Sequence, residues 1–144
     1  ELLRNIPLFA KIELSKLKLL AFTSERLTYS QDEILFSQGD AGDAAYIIIN
    51  GEADIVVNTP GGPLVIATLK QNEIVGEIAI LCDVPRTATV RAKTELTALR
   101  ISKDLFFNLT IEFPEIAVEI MRELAHRLEQ TTNKLREAVA QTQS

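Results

Sequence analysis

The chain has 144 residues, of which 47% are hydrophobic and 24% charged, and its formal net charge is −5. These values are typical of one soluble globular domain, and the acidic balance argues against direct contact with nucleic acid, which needs clustered Lys and Arg. No apolar run approaches the roughly 20 residues that span a bilayer, so no membrane segment is predicted. The single histidine, His126, argues against a metal site.

The single cysteine, Cys82, excludes an intrachain disulfide and fits a reducing compartment. We therefore expect a cytoplasmic location, with Cys82 as a small buried apolar side chain. The chain begins at Glu1 without an initiator methionine, which indicates a trimmed chain or an excised domain.

Residues 1–24 form a predicted helical segment that Pro7 interrupts, with Leu14, Leu17 and Leu20 on one apolar stripe. From residue 25 to residue 101 the pattern changes to short β segments separated by turn residues. The predicted strands are 26–29, 33–37, 45–50, 53–58, 64–69, 73–75, 88–93 and 97–101.

Turn signals separate these strands. Asn50-Gly51 and the run Thr59-Pro60-Gly61-Gly62-Pro63 tolerate tight turns or positive φ. Short strands at this spacing predict an α+β protein that is mainly β, an antiparallel β-roll resembling a jelly-roll barrel, with helices at both ends. We expect a single domain over residues 1–144.

Residues 76–90, called the cassette below, combine a glycine, an acid and an arginine in a short space. Gly76 opens an apolar turn that carries Glu77, and Arg86 follows a proline and enters a strand. A guanidinium fork beside the N–H groups of a helix start suits a phosphate diester. A carboxylate cannot bind that phosphate, so Glu77 is predicted to accept from sugar hydroxyls.

Two helices, over residues 102–141, are predicted to follow the roll as a C-terminal lid. Ser102 is a candidate N-cap for a helix that ends near residue 112. Pro114 then marks the first turn of a long helix that continues to about residue 140.

The long helix carries an apolar stripe in alternating steps of four and three. The pattern predicts a coiled-coil seam and hence a parallel homodimer. The alternative is a helix folded over its own domain. The seam positions are Ala117, Met121, Leu124, Leu128, Thr131, Leu135 and Ala138, and an i,i+4 pair of Glu123 and Arg127 lies on its polar flank.

The segment Gly-Glu-Ile-Ala-Ile-Leu at 76–81 and the segment Pro-Arg-Thr-Ala-Thr-Val at 85–90 resemble the phosphate-binding cassette of cyclic nucleotide-binding domains. The resemblance covers nearly all of the chain and includes Gln38-Gly39-Asp40. One departure is Asn72-Glu73, where the family often has Gly-Asp. Asn also adopts the left-handed conformation, so the turn can form.

The resemblance implies specific roles. Arg86 would pair with the cyclic phosphate, and Glu77 would accept from the ribose 2′-hydroxyl. The implied ligand-binding residues are Gly76, Glu77, Ile78, Ala79, Arg86, Thr87 and Ala88.

The long helix resembles that of the bacterial catabolite activators, in which a Thr-Ser pair contacts adenine. By position, Thr131 and Thr132 would take that role, although two such threonines can equally bind only water. The pair favours cyclic AMP as ligand. Thr87 supports cyclic GMP as the alternative, because family members with threonine there hold guanine in the syn orientation.

No pair of catalytic acids or nucleophile with a base accompanies the cassette, so a sensor rather than an enzyme is expected, with no metal. Ligand binding would move the C-terminal helices and so signal to an output domain or partner that the sequence does not identify. An alternative from another class is a dimerisation module of the same fold that has lost its ligand.

Overall fold

The computed structural model describes residues 14–143. Expectations for residues 1–13, including the break at Pro7, lie outside this range. The elements in chain order are helix α1 (Leu14–Thr23), strands β1 (Glu25–Tyr29), β2 (Ile34–Phe36), β3 (Ala44–Asn50), β4 (Ala53–Thr59), β5 (Gly62–Leu69) and β6 (Ile74–Val75), helix α2 (Glu77–Cys82), strands β7 (Thr89–Ala92) and β8 (Leu96–Ser102), and helices α3 (Lys103–Glu112) and α4 (Pro114–Gln143).

The eight strands form two four-stranded sheets in which every neighbouring pair is antiparallel. The first sheet has the order β1-β8-β3-β6 and the second has the order β2-β7-β4-β5. This architecture confirms the predicted mainly β class, with two facing sheets in place of a closed barrel. Each predicted strand is present, and its ends agree within two residues.

The first sheet is buried on both faces, which explains the uninterrupted apolar sequence of β3. Because side chains alternate along a strand, Ile47 faces one cluster and Ile48 faces another. One cluster fills the space between the sheets and includes Ile48 and Val90. The other lies between the first sheet and the helices and includes Ile47, Phe106 and Ile116. The helices are therefore packed directly on the sheet that leads into the cassette.

Local turn chemistry agrees with the sequence. Asn72 has a φ of 72°, so the left-handed turn before the cassette does form with asparagine. Ser102 caps α3 by accepting from the N–H of Leu105 at 3.3 Å. Pro114 is the first residue of α4, where its missing N–H breaks no helical hydrogen bond.

Candidate functional site

The cassette connects β6 to β7 and contains the six-residue helix α2. Gly76 precedes α2 with a φ of 90°, and a Cβ at this position would lie 2.6 Å from Nη1 of Arg86. Glycine therefore supplies both the left-handed backbone and the space for the guanidinium. At the other end, Asp83 adopts a φ of 52° and its N–H donates to the carbonyl of Ala79.

Arg86 is 3% exposed, and its guanidinium is surrounded mainly by neutral groups. Nη1 donates to the carbonyl of Gly76 at 2.8 Å and Nη2 to the carbonyl of Ala44 at 2.6 Å. The guanidinium carbon lies 4.0 Å from the ring centroid of Phe36. Nε has no hydrogen-bond partner among residues 14–143.

This environment leaves the charge of Arg86 poorly compensated. The nearest carboxylate oxygen is that of Asp43, 3.4 Å from Nη2, and that side chain is largely exposed. Burial lowers the pKa of Arg86. A buried cation with an unpaired N–H is suited to an anion that can reach it.

The backbone of Arg86 is held by the loop between β2 and β3. The N–H of Arg86 donates to the carbonyl of Asp40 at 2.8 Å, and its carbonyl accepts from the N–H of Gly39 at 2.8 Å. Asp43 in the same loop also pairs with Arg100 at 3.2 Å, and Arg100 pairs with Glu25 of β1 at 3.0 Å. The arginine is thus fixed by the β-roll itself.

Glu77 lies at the start of α2 and is 1% exposed. Its Oε1 accepts from Nη1 of Arg127 at 3.0 Å. Burial raises the pKa of Glu77, and the positive charge of Arg127 opposes that shift. Because Oε1 is hydrogen-bonded to Arg127, the other carboxylate oxygen, Oε2, is the natural acceptor for a ligand hydroxyl.

Arg127 is the functional residue that the sequence analysis missed. It was placed with Glu123 on a polar flank, and that i,i+4 pair is confirmed at 2.6 Å. The same guanidinium, however, reaches 50 residues back to Glu77 and to the carbonyl of Ile74. A usable signal was the spacing from the apolar positions Ile116 and Ile120, which places Arg127 on the buried face of α4.

The remaining predicted site residues differ in exposure. Ala79 is buried, Ala88 is half-buried, and Ile78 and Thr87 are exposed. Thr131 and Thr132 donate to the carbonyls of Arg127 and Leu128, one turn earlier in their own helix, at 2.9 and 2.8 Å. Their predicted contact with the base stays a prediction.

The apolar residues of the cassette divide between core and surface. Ile80 is buried against the cluster that contains Phe106, whereas Ile78 and Leu81 are exposed. Cys82 is also exposed, so the expectation that it is buried was wrong. The buried residues of this short helix are Glu77, Ala79 and Ile80.

The outer face of α4 is apolar and exposed. Three of its large apolar residues, Met121, Leu128 and Leu135, are predicted seam positions and lie seven residues apart, as a coiled coil needs. Leu124, another predicted seam position, is partly buried and packs against the domain's own core. The exposed apolar residues of this outer face are Val118, Met121, Leu128, Leu135 and Val139.

Neither a metal site nor a membrane-spanning helix is found in the described part of the chain. Among residues 14–143, no three His, Cys, Asp or Glu side chains are grouped so that they could hold a metal ion. The helices formed by these residues include none with the length and apolar character required to cross a membrane.

Comparison with known proteins gives a consistent result. Residues 26–112 match the family model of the cyclic nucleotide-binding domain. The CRP-like cAMP-activated global transcriptional regulator of Mycobacterium tuberculosis is 29% identical over 140 residues, which cover 96% of this chain and 62% of the relative. The cAMP-dependent protein kinase regulatory subunit of Yarrowia lipolytica is 36% identical over 107 residues, which cover 74% of this chain and 28% of the subunit.

Among solved structures, the catabolite activator protein of Thermus thermophilus aligns with a TM-score of 0.78 and 27% identity. The alignment covers 90% of this chain and 61% of that one. The chain therefore spans less than two thirds of the length of these relatives.

Proposed function

Because the chain belongs to the cyclic nucleotide-binding domain family, we propose that it is a regulatory sensor that binds cyclic AMP without converting it. Arg86 binds the cyclic phosphate, and Glu77 accepts from the ribose 2′-hydroxyl. The observation that carries this proposal is the buried guanidinium of Arg86, with neutral carbonyl partners and an unpaired Nε. A phosphate oxygen would supply both the missing charge and the missing acceptor.

The ribose contact gives the site a way to discriminate between nucleotides. A 2′-hydroxyl donating to the buried carboxylate of Glu77 satisfies an acceptor that a deoxy analogue would leave unpaired. Cyclic AMP should therefore bind more tightly than 2′-deoxy cyclic AMP, and Glu77→Gln should reduce this preference.

The choice of base rests on two observations. The names of both curated relatives refer to cyclic AMP, and Thr131 lies one turn beyond Arg127, with Thr132 beside it, on the helix that contacts Glu77. Thr87 is exposed beside Arg86 and keeps cyclic GMP as the alternative. A Thr87→Ala variant that loses affinity for cyclic GMP, and keeps it for cyclic AMP, would support that role of Thr87.

Arg127 provides the route from the ligand to the C-terminal helices. Its hydrogen bond to Glu77 joins α4 to the cassette. A ligand hydroxyl that donates to Glu77 therefore also changes the interaction that holds α4 there. Hydrogen exchange of the α4 amides should slow when cyclic AMP binds. Equal exchange with and without the nucleotide would contradict this coupling.

The proposal includes a homodimer formed through the outer face of α4. Leu128, at the centre of this face, is 68% exposed in the single chain, and such a periodic apolar face is normally covered. Leu128→Lys should convert a dimer to a monomer in sedimentation. Ile111→Lys, at an even more exposed position on α3, should leave the dimer intact.

The decisive test is calorimetric titration of cyclic AMP and cyclic GMP into the wild type, Arg86→Ala and Arg91→Ala. Loss of a buried charged partner should weaken binding by about 30-fold to several thousand-fold, or roughly 2–5 kcal/mol. Arg91 directly follows the cassette but pairs with Asp54 of β4 at 3.7 Å, so its removal should change affinity little. A wild-type dimer that binds neither nucleotide would instead indicate a dimerisation module.

A further inference from the structure

Arg127 is held in place by a second residue of its own helix. Its Nη2 donates both to Oε1 of Glu123 at 2.6 Å and to the carbonyl of Ile74 at 2.5 Å. Burial raises the pKa of Glu123, and the backbone of Ile74 opposes that shift. Arg127 therefore links Glu123 to the backbone of one residue in β6, the strand that leads into the cassette.

This arrangement has a simple structural reason. β6 is an edge strand of the first sheet, paired with β3 on one side only. Edge strands present unpaired N–H and C=O groups on their open side. Arg127 supplies a donor that a further strand would have supplied, and Glu123 holds its guanidinium in place. We call these two side chains the clamp.

The clamp differs from an ordinary ion pair on a helix surface. Glu119 and Arg122, one turn earlier, also pair at 2.8 Å, but Arg122 is 71% exposed and contacts no other element through this pair. Exposed pairs of that kind contribute little to stability. Arg127 and Glu123 are only about a quarter exposed, and they connect α4 to β6 and α2.

We propose that Glu123 is a positioning residue for the ribose end of the site. By fixing Arg127 against Glu77, it keeps the buried carboxylate oriented toward the ligand hydroxyl, and it fastens α4 to the cassette. A guanidinium is planar, so bonds from Nη2 to Glu123 and Ile74 also set the direction of Nη1 toward Glu77. This inference rests on the proposed function, because it assigns a role within the same site.

The affinity test compares Glu123→Ala and Glu123→Gln with Glu119→Ala, using cyclic AMP and 2′-deoxy cyclic AMP. Glu123→Ala should weaken cyclic AMP binding roughly tenfold, the equivalent of one charge-assisted hydrogen bond, and should reduce the preference over the deoxy analogue by a similar factor. Glu123→Gln keeps an acceptor oxygen and should lie between Glu123→Ala and the wild type. Glu119→Ala should match the wild type.

If Glu123 acts through Arg127, the effects of Glu123→Ala and Arg127→Ala on cyclic AMP affinity should not add. In an Arg127→Ala background, Glu123→Ala should change cyclic AMP affinity by less than about twofold, because the residue on which it acts is gone. An equal loss of affinity for both nucleotides, or additive losses in the double variant, would overturn the positioning role.

Hydrogen exchange distinguishes failure of the proposed function from failure of the clamp. If the wild type binds neither nucleotide, the clamp still predicts faster hydrogen exchange around residues 120–130 in Glu123→Ala than in Glu119→Ala. Equal exchange in those two variants would overturn the clamp irrespective of any ligand.

Discussion

Arg86 and Glu77 are the two buried charges of one cassette, and the protein surrounds them in different ways. Arg86 is held by loops and strands of the β-roll, through neutral carbonyls and a stacked ring. Glu77 is held by a counter-charge from α4, 50 residues away in the chain. The proposed phosphate end therefore depends on the β-roll, whereas the proposed ribose end depends on how α4 is packed.

The largest effect is expected when the positive charge that compensates Glu77 is removed. Arg127→Ala leaves the carboxylate of Glu77 buried and uncompensated, which should lower the free energy of unfolding by about 3 kcal/mol. Urea denaturation without nucleotide measures this change. Adding Glu77→Gln should restore most of the loss, and a double variant as unstable as Arg127→Ala would contradict the assigned cause.

A smaller effect is expected from crowding the phosphate end. Gly76→Ala combines a positive φ with a Cβ 2.6 Å from Nη1 of Arg86, so it should cost roughly 2 kcal/mol of stability and displace the guanidinium. Gly62→Ala is the matched control, since it has a φ of 111° and nothing within 4 Å. Only Gly76→Ala should also weaken cyclic AMP binding in calorimetry.

Replacing Arg86, the second buried charge of the cassette, should change the free energy of unfolding only slightly. Arg86→Met removes a cation whose nearest carboxylate, that of Asp43 at 3.4 Å, is largely exposed, so the stability measured without nucleotide should stay within about 1 kcal/mol of the wild type. The same variant should lose most of its affinity for cyclic AMP. A large loss of stability in urea denaturation would show that Arg86, like Arg127, is part of the structural framework.

The smallest expected effect is on the pH dependence of the free energy of unfolding. Burial raises the pKa of both Glu77 and Glu123 above the ordinary value of 4.5, so the folded chain holds protons that the unfolded chain releases. Stability should therefore decline gradually as pH rises above about 4.5. In urea denaturation at a series of pH values, Glu123→Gln should flatten this decline, and Glu119→Gln should leave it unchanged.

Much of the fold follows from local chemistry. Turn residues such as Asn50-Gly51 and the left-handed Asn72 mark the strand ends, and the spacing of Gly76, Glu77 and Arg86 identifies the candidate site. Periodicity also predicts a long amphipathic α4. These features depend on neighbouring residues in the chain, which is why the sequence reveals them.

The remainder depends on which surfaces meet after folding. Periodicity places Arg127 on one face of α4, but not against a carboxylate 50 residues earlier. For the same reason periodicity did not separate Leu124, which packs on the domain's own core, from the exposed positions of the predicted seam. Cys82 could not be assigned correctly either, because a six-residue helix has too few turns to define its buried side.

The exposure of Cys82 has a practical consequence. It is the only cysteine of the chain and lies at the end of α2, within the cassette. A maleimide dye would therefore attach at a single position beside the site without any prior mutagenesis. Its fluorescence would report motion of the cassette directly, and the protein would become an optical indicator of its own ligand.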